Sequence, residues 1–69
     1  MDLIVELNGK LFPIEIKAKS NPTRKDTKGF ASFRACFPHE RIQQGLVICS
    51  IEKPQQLSED AVAIPWWII

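Results

Sequence analysis

Cysteine is scarce in this 69-residue chain, with two, and the other residues that commonly announce chemistry are few as well: there is one histidine and no visible arrangement of a Ser or Cys nucleophile with a base. Cys36, Cys49 and His39 are three possible ligands at no recognised zinc spacing, short of the four that a structural zinc site takes. Cys36 falls at the end of a predicted helix and Cys49 in a predicted buried strand. Both therefore read as small core residues rather than a disulfide, the usage of a reducing cytoplasm. His39 lies beside Glu40 in a polar stretch and reads as solvated. No run approaches the ~18 apolar residues of a membrane span and no secretory leader pattern occurs, so a soluble, cytoplasmic chain with no membrane partner is expected. No Gly-x-x-x-x-Gly-Lys-Ser/Thr loop is present, so no ATP site of that kind is expected within these residues. Excess charge is missing too: the net charge is +1 at pH 7, unlike that of a general polyanion binder.

What the chain does have begins at its N-terminus. Asn8-Gly9 between two alternating runs is the strongest short-range signal for a type I′ hairpin. Leu7 then faces Lys10, Val5 faces Phe12, Leu3 faces Ile14 and Asp2 faces Glu15, with Lys17 two residues further on. Side chains alternate between faces, which puts Leu3, Val5, Leu7, Phe12, Ile14 and Ile16 on one side and Asp2, Glu6, Glu15 and Lys17 on the other. The apolar side is the expected core face. Asp2 and Glu15 form a non-hydrogen-bonded pair, whose Cα atoms lie about 4.5 Å apart. Two like charges ~4 Å apart repel by roughly 1 kcal/mol in water and about 4 kcal/mol at an effective dielectric of 20, so something should offset them. A Mg²⁺ ion does so naturally, using one or two carboxylates and keeping its other positions for water and phosphate oxygens. Lys17 neutralises part of the pair without any metal. In the bland alternative, Asp2 frays and Glu15 pairs with Lys17 in water.

The remainder reads as a βαβ unit. Thr23-Arg24-Lys25-Asp26 resembles a capping box with Asp in place of Glu, so a helix is expected from there to about Cys36, stopped by Pro38. Phe30, Phe33 and Phe37 share a helical face and are assigned to the core. Gly29, inside the helix, marks either close packing or function. Leu46 to Ile51 is apolar without alternation, as in a strand covered on both faces, and a right-handed crossover lets it pair in parallel with strand 11 to 18. Glu52-Lys53-Pro54 is a turn. Ala61 to Ile69 is a last apolar segment in which Pro65 argues for an edge strand or an extended tail. At least one of Trp66 and Trp67 is expected to pack on the body. The fold class is thus α/β (α+β): a hairpin, a crossover helix, a parallel strand and a C-terminal edge strand.

Positive charge is concentrated between Lys17 and Arg34, where Lys17, Lys19, Arg24, Lys25, Lys28 and Arg34 face a single acid, Asp26. Lys19, Arg24, Lys25 and Lys28 are candidate contacts for a DNA backbone, which would be held by counterion release without sequence readout. The alternative is a solvated loop and helix face. Domains of about 60 residues bury only roughly 60% of their unfolded surface, so this single domain has a thin core. A homodimer that joins the exposed edge strand 2 to 7, or covers the apolar face, is one way to complete it.

An acid opening one strand, a hairpin, Glu-x-Lys on the next strand, a crossover helix and a further apolar strand resemble the PD-(D/E)XK nuclease core, also called restriction-endonuclease-like. Val5-Glu6-Leu7-Asn8-Gly9-Lys10-Leu11-Phe12-Pro13-Ile14-Glu15-Ile16-Lys17-Ala18, with Lys28-Gly29-Phe30, Gly45-Leu46-Val47-Ile48 and Ala63-Ile64-Pro65-Trp66-Trp67, resembles the C-terminal domain of unknown function of predicted bacterial and archaeal AAA-type ATPases. The resemblance covers nearly the whole chain. It implies an ATPase domain upstream in the intact protein and Mg²⁺-dependent hydrolysis of DNA, with Asp2 and Glu15 on the metal and Lys17 beside the attacked phosphate. The helix and first strand that open that core are missing before Met1. An excised or truncated C-terminal piece, inactive or weakly active by itself, is therefore expected. The alternative is a non-catalytic interaction or regulatory module of an ATPase.

Overall fold

The Asn8-Gly9 turn sets the register of the first half. Asn8 and Gly9 both take positive φ, 54° and 80°, as a type I′ turn requires, and the Glu6 carboxylate accepts the Gly9 N–H at 2.7 Å. The computed structural model describes residues 1–68. In it β1 (Leu3–Leu7) and β2 (Lys10–Ile16) are antiparallel, with Leu3 opposite Ile14, Val5 opposite Phe12 and Leu7 opposite Lys10, the pairing read from the sequence.

After β2 the chain turns through Ser20-Asn21-Pro22 into a 3₁₀ turn, Arg24–Thr27, and then α1 (Lys28–Cys36). The capping box forms: the Thr23 side chain accepts the Lys25 N–H and the Asp26 carboxylate accepts the Thr23 N–H at 2.8 Å. Three further strands follow the short β3 (Arg41–Ile42): β4 (Gly45–Cys49), β5 (Gln55–Ser58) and β6 (Ala61–Pro65). The sheet order is β1-β2-β4-β6-β5, with β2, β4 and β6 parallel, β1 and β5 antiparallel edges, and β3 beside the start of β2. The protein is thus a mixed α/β domain with one sheet and one short helix. No helix among the described residues is long and apolar enough to cross a membrane.

Pro13 explains why β3 and β4 are separate. Leu11 accepts the Gln43 N–H on the β3 side and Lys17 donates to Ile48 on the β4 side, so odd-numbered residues of this stretch turn their backbone groups towards those strands. Pro13 has no N–H to give there, and the partner strand breaks at Gln43-Gln44 opposite it.

The helix covers the face opposite to the one expected. Gly45, Val47 and Cys49 of β4 and Ala61, Ala63 and Pro65 of β6 alternate as buried residues, and Phe30 of α1, 1% exposed, packs against Val47, Cys49, Ala61 and Ala63. In register with these are Pro13 and Glu15 of β2. The apolar hairpin face is therefore not a core face: Leu3, Leu7 and Ile16 are 51%, 58% and 60% exposed. Small residues on β4 and β6 let the Phe30 ring approach the backbone. A Cβ on Gly45 would overlap that ring, so Gly45 marks the close approach, whereas a Cβ on Gly29 would meet nothing.

Other expectations change for related reasons. Leu46 and Ile48 are only half-buried, because β4 is covered on one face. β6 is an interior strand, since Pro65 ends it and β5, polar and unforeseen, takes the edge. Phe33 is half-buried and Phe37 exposed, their rings 5.1 Å apart at the helix end, so of the three only Phe30 is buried in the core. Trp66 and Trp67 are both exposed, at 62% and 57%, in a 3₁₀ turn, Trp66–Ile68. Cys36 is exposed and Cys49 buried, both as free thiols.

Candidate functional site

The strand ladder brings Asp2, Glu15 and Lys17 to the C-terminal end of β2, on the helix-covered side. β1 ends before it reaches Ile16, which leaves the Ile16 N–H without a backbone partner from that strand. The Asp2 carboxylate accepts it at 2.7 Å and extends the ladder by one bond. Asp2 is thus anchored rather than frayed.

Glu15 is largely covered and lies between two cations. The Met1 ammonium is 3.3 Å from Oε1, and Lys17 Nζ is 3.6 Å from Oε2. Like-charge repulsion between Asp2 and Glu15 is thereby offset without a metal: one acid is hydrogen-bonded to backbone and the other is paired twice. Among the described residues no group of three or more His, Cys, Asp or Glu side chains could hold a metal ion. A divalent cation here would have to displace the Lys17 ammonium from Glu15 and compete with the Ile16 N–H for Asp2. As arranged, this donor set does not fit Mg²⁺.

Charge continues along the same edge. Lys19 Nζ binds both oxygens of Asp26, at 3.1 and 3.2 Å. Asp26 also accepts the Thr23 N–H, and that bond, helped by the Lys19 and Lys17 ammonium charges and opposed by burial, holds its carboxyl below the usual carboxylate range. Cys49 lies near this pair. Burial pushes its thiol up, the Asp26 charge adds to the effect and Lys19 opposes it, so it is a poor nucleophile. Of the four lysines and arginines suggested as backbone contacts, Lys19 is already committed to Asp26.

The other three are gathered together. Arg24, Lys25 and Lys28, with Thr27, Ala31 and Ser58, line a cleft of about 340 Å³ between the start of α1 and β5. All three basic residues are exposed and form no salt bridge with a described residue. Thr27, at the N-cap of α1, makes no capping bond; its hydroxyl donates to the Arg24 carbonyl at 2.7 Å instead. α1 has no acid in its own first turn, and the 3₁₀ turn that leads into it, capped by Thr23 and Asp26, brings Arg24 and Lys25 to the same cleft as Lys28.

Arg34 has a structural role. Its Nη atoms donate to the Ile42 and Gln43 carbonyls at 2.9 and 3.2 Å, tying α1 to the β3–β4 break. Its Nε lies 3.2 Å from an Asp60 oxygen, within ion-pair distance but off the hydrogen-bonding direction. Sequence reasoning grouped Arg34 with the basic segment; only the tertiary fold sets it apart.

Residues 1–69 match the family model described as Domain of unknown function (DUF4143). The chain belongs to that family. Neither a curated protein nor a solved structure matches it. This DUF4143 domain thus carries two charged places on its helix side: a charge-compensated strand end at Glu15 and an open basic cleft at Arg24, Lys25 and Lys28.

Proposed function

We propose that this domain is a nuclease-like module of a larger ATPase that grips the phosphate backbone of DNA and, as a separate piece, does not hydrolyse it. The basic cleft carries the reading. Arg24, Lys25 and Lys28 converge on one cleft at the 3₁₀ turn and the start of α1, and none of them is paired with an acid of the described residues. Phosphate contacts of this kind give affinity without sequence readout and a steep dependence on salt. The near-neutral net charge keeps the attraction local to this cleft.

The hydrolytic reading keeps one observation on its side: Glu15 and Lys17 share a face and lie 3.6 Å apart, as the Glu-x-Lys resemblance implies. Asp2 and Glu15 are the residues that would hold Mg²⁺ if their present partners were displaced. A purely regulatory module would need neither place.

Fluorescence anisotropy of a labelled duplex in EDTA tests the proposal. Binding should weaken as salt rises, persist in Glu15→Ala, and fall in a variant with Arg24, Lys25 and Lys28 changed to Gln. If each of three neutralised contacts releases about one counterion, the log–log salt slope of that variant drops by roughly 3. Equal binding by the wild type and that variant would sink the reading.

A further inference from the structure

The hairpin face that the helix leaves open is continuous with the same side of β4 and β6. Strand register places Ile14 beside Leu46, and Ile16, Ile48 and Ile64 in one row, with Leu3, Val5 and Leu7 of β1 extending the surface to the sheet edge. No acidic side chain points to this side from β1, β2, β4 or β6. Lys10 and Arg41 stand only at its rim beside the turn, and Gln56 is its one polar neighbour on β5. A sheet that buries one face and leaves an apolar second face to water lacks a layer, and monomers rarely expose contiguous apolar patches beyond about 300–600 Å².

We infer that this face is covered by the same face of a second copy of the chain, giving a two-fold sandwich with the sheets inside and the helices outside. Its chemistry suits self-association. An isologous contact sets each patch against itself, and a surface with uncharged aliphatic and aromatic residues at its centre meets no like charge there. Size permits it. The two longer extents of the molecule, 34 and 23 Å, make its broad side large enough to hold a contact approaching the ~800 Å² per partner of a standard interface. Two sheets facing one another pack about 10 Å apart with strands inclined by ~30°, and half-buried Ile14, Ile48 and Ile64 would form the centre of that layer. A contact limited to the β1 edges would leave Ile48 and Ile64, one and two strands further in than β2, uncovered. In the sandwich both basic clefts face outward, so this inference stands whether or not the cleft binds DNA.

Sedimentation velocity of the full chain over 1–200 µM, order-of-magnitude bounds for a standard interface, tests it. The wild type should sediment as a dimer in the upper part of that range. Ile16→Lys, at a position already 60% exposed, and separately Ile48→Lys, at the centre of the face, should keep the wild-type circular dichroism while weakening the dimer by roughly 100-fold, because each sets a desolvated, unpaired charge in the interface. Ile4→Lys, an exposed position on the helix side of β1, should dimerise as the wild type does. A wild-type monomer throughout the range, or a dimer that survives both Ile16→Lys and Ile48→Lys, would overturn the inference. Should Ile48→Lys unfold, Ile16→Lys still decides, since its side chain has the weaker hold on the monomer's own packing.

Discussion

Replacing Gly45 with alanine drives a methyl group into the ring of Phe30. The added Cβ would overlap Phe30 Cγ, Cδ1 and Cε1, and the ring cannot step aside because it is 1% exposed and walled by Val47, Cys49, Ala61 and Ala63. Either α1 lifts from the sheet or the ring leaves its rotamer, and overpacking of this kind costs about 1–3 kcal/mol. The smaller unfolded-state entropy of alanine returns about 0.4–1 kcal/mol, so Gly45→Ala should lose roughly 1–2 kcal/mol net. For a domain of this size that lowers Tm by about 5–15 °C. Urea unfolding at one fixed protein concentration, with Phe30→Leu and the double variant alongside, isolates the clash. Phe30→Leu alone is destabilising, yet in its presence Gly45→Ala should cost less, by a coupling of at least about 0.5 kcal/mol. Gly45→Ala as stable as the wild type, or two substitutions that simply add, would refute this account of how the helix meets the sheet.

Three other outcomes follow from single contacts. Asp2→Ala removes the acceptor for the Ile16 N–H and should cost about 1 kcal/mol in urea unfolding, while Asp2→Asn should retain most of that stability. Asp26 has its folded pKa depressed, so its contribution is complete above the unfolded value near 3.9 and is lost as pH falls through the folded value; the acid limb of a stability–pH curve should flatten below about pH 4 in Asp26→Asn. Cys36 should react with a thiol reagent at once, and buried Cys49 only as fast as the domain opens, giving two well-separated phases whose slower one accelerates in urea.

Local signals in the sequence were read well because they are local. Two turn residues with positive φ fix the pairing of β1 and β2, and Thr23 with Asp26 fixes where the chain enters its helical segment. The face that the helix chooses is not local. Alternation divides the hairpin into an apolar and a charged side, which favours the apolar side as core; the decision is taken instead by Gly45, Ala61 and Ala63, which leave room for Phe30 on the other side. β4 and β6 are apolar on both faces and give no hint of it. β3 and β5, at two and four residues with one apolar side chain each, Ile42 and Leu57, are too short to show a period, and without β5 the interior place of β6 could not be seen. The charged trio was legible as a juxtaposition. What each charge does was not, because the Ile16 N–H and the Met1 ammonium are backbone and terminal groups that carry no side-chain signature.

Paramagnetic broadening of amide resonances by Mn²⁺ tests most directly whether Asp2 and Glu15 are a charge-compensated strand end or a cation site. With Asp2 bonded to Ile16 and Glu15 paired with Lys17, the amides of Asp2, Glu15 and Lys17 should show no saturable broadening at sub-millimolar metal, and plasmid DNA should remain uncut in Mg²⁺ or Mn²⁺. Saturable broadening centred on Glu15, together with plasmid nicking that disappears in Glu15→Ala, would contradict the account and restore the hydrolytic reading.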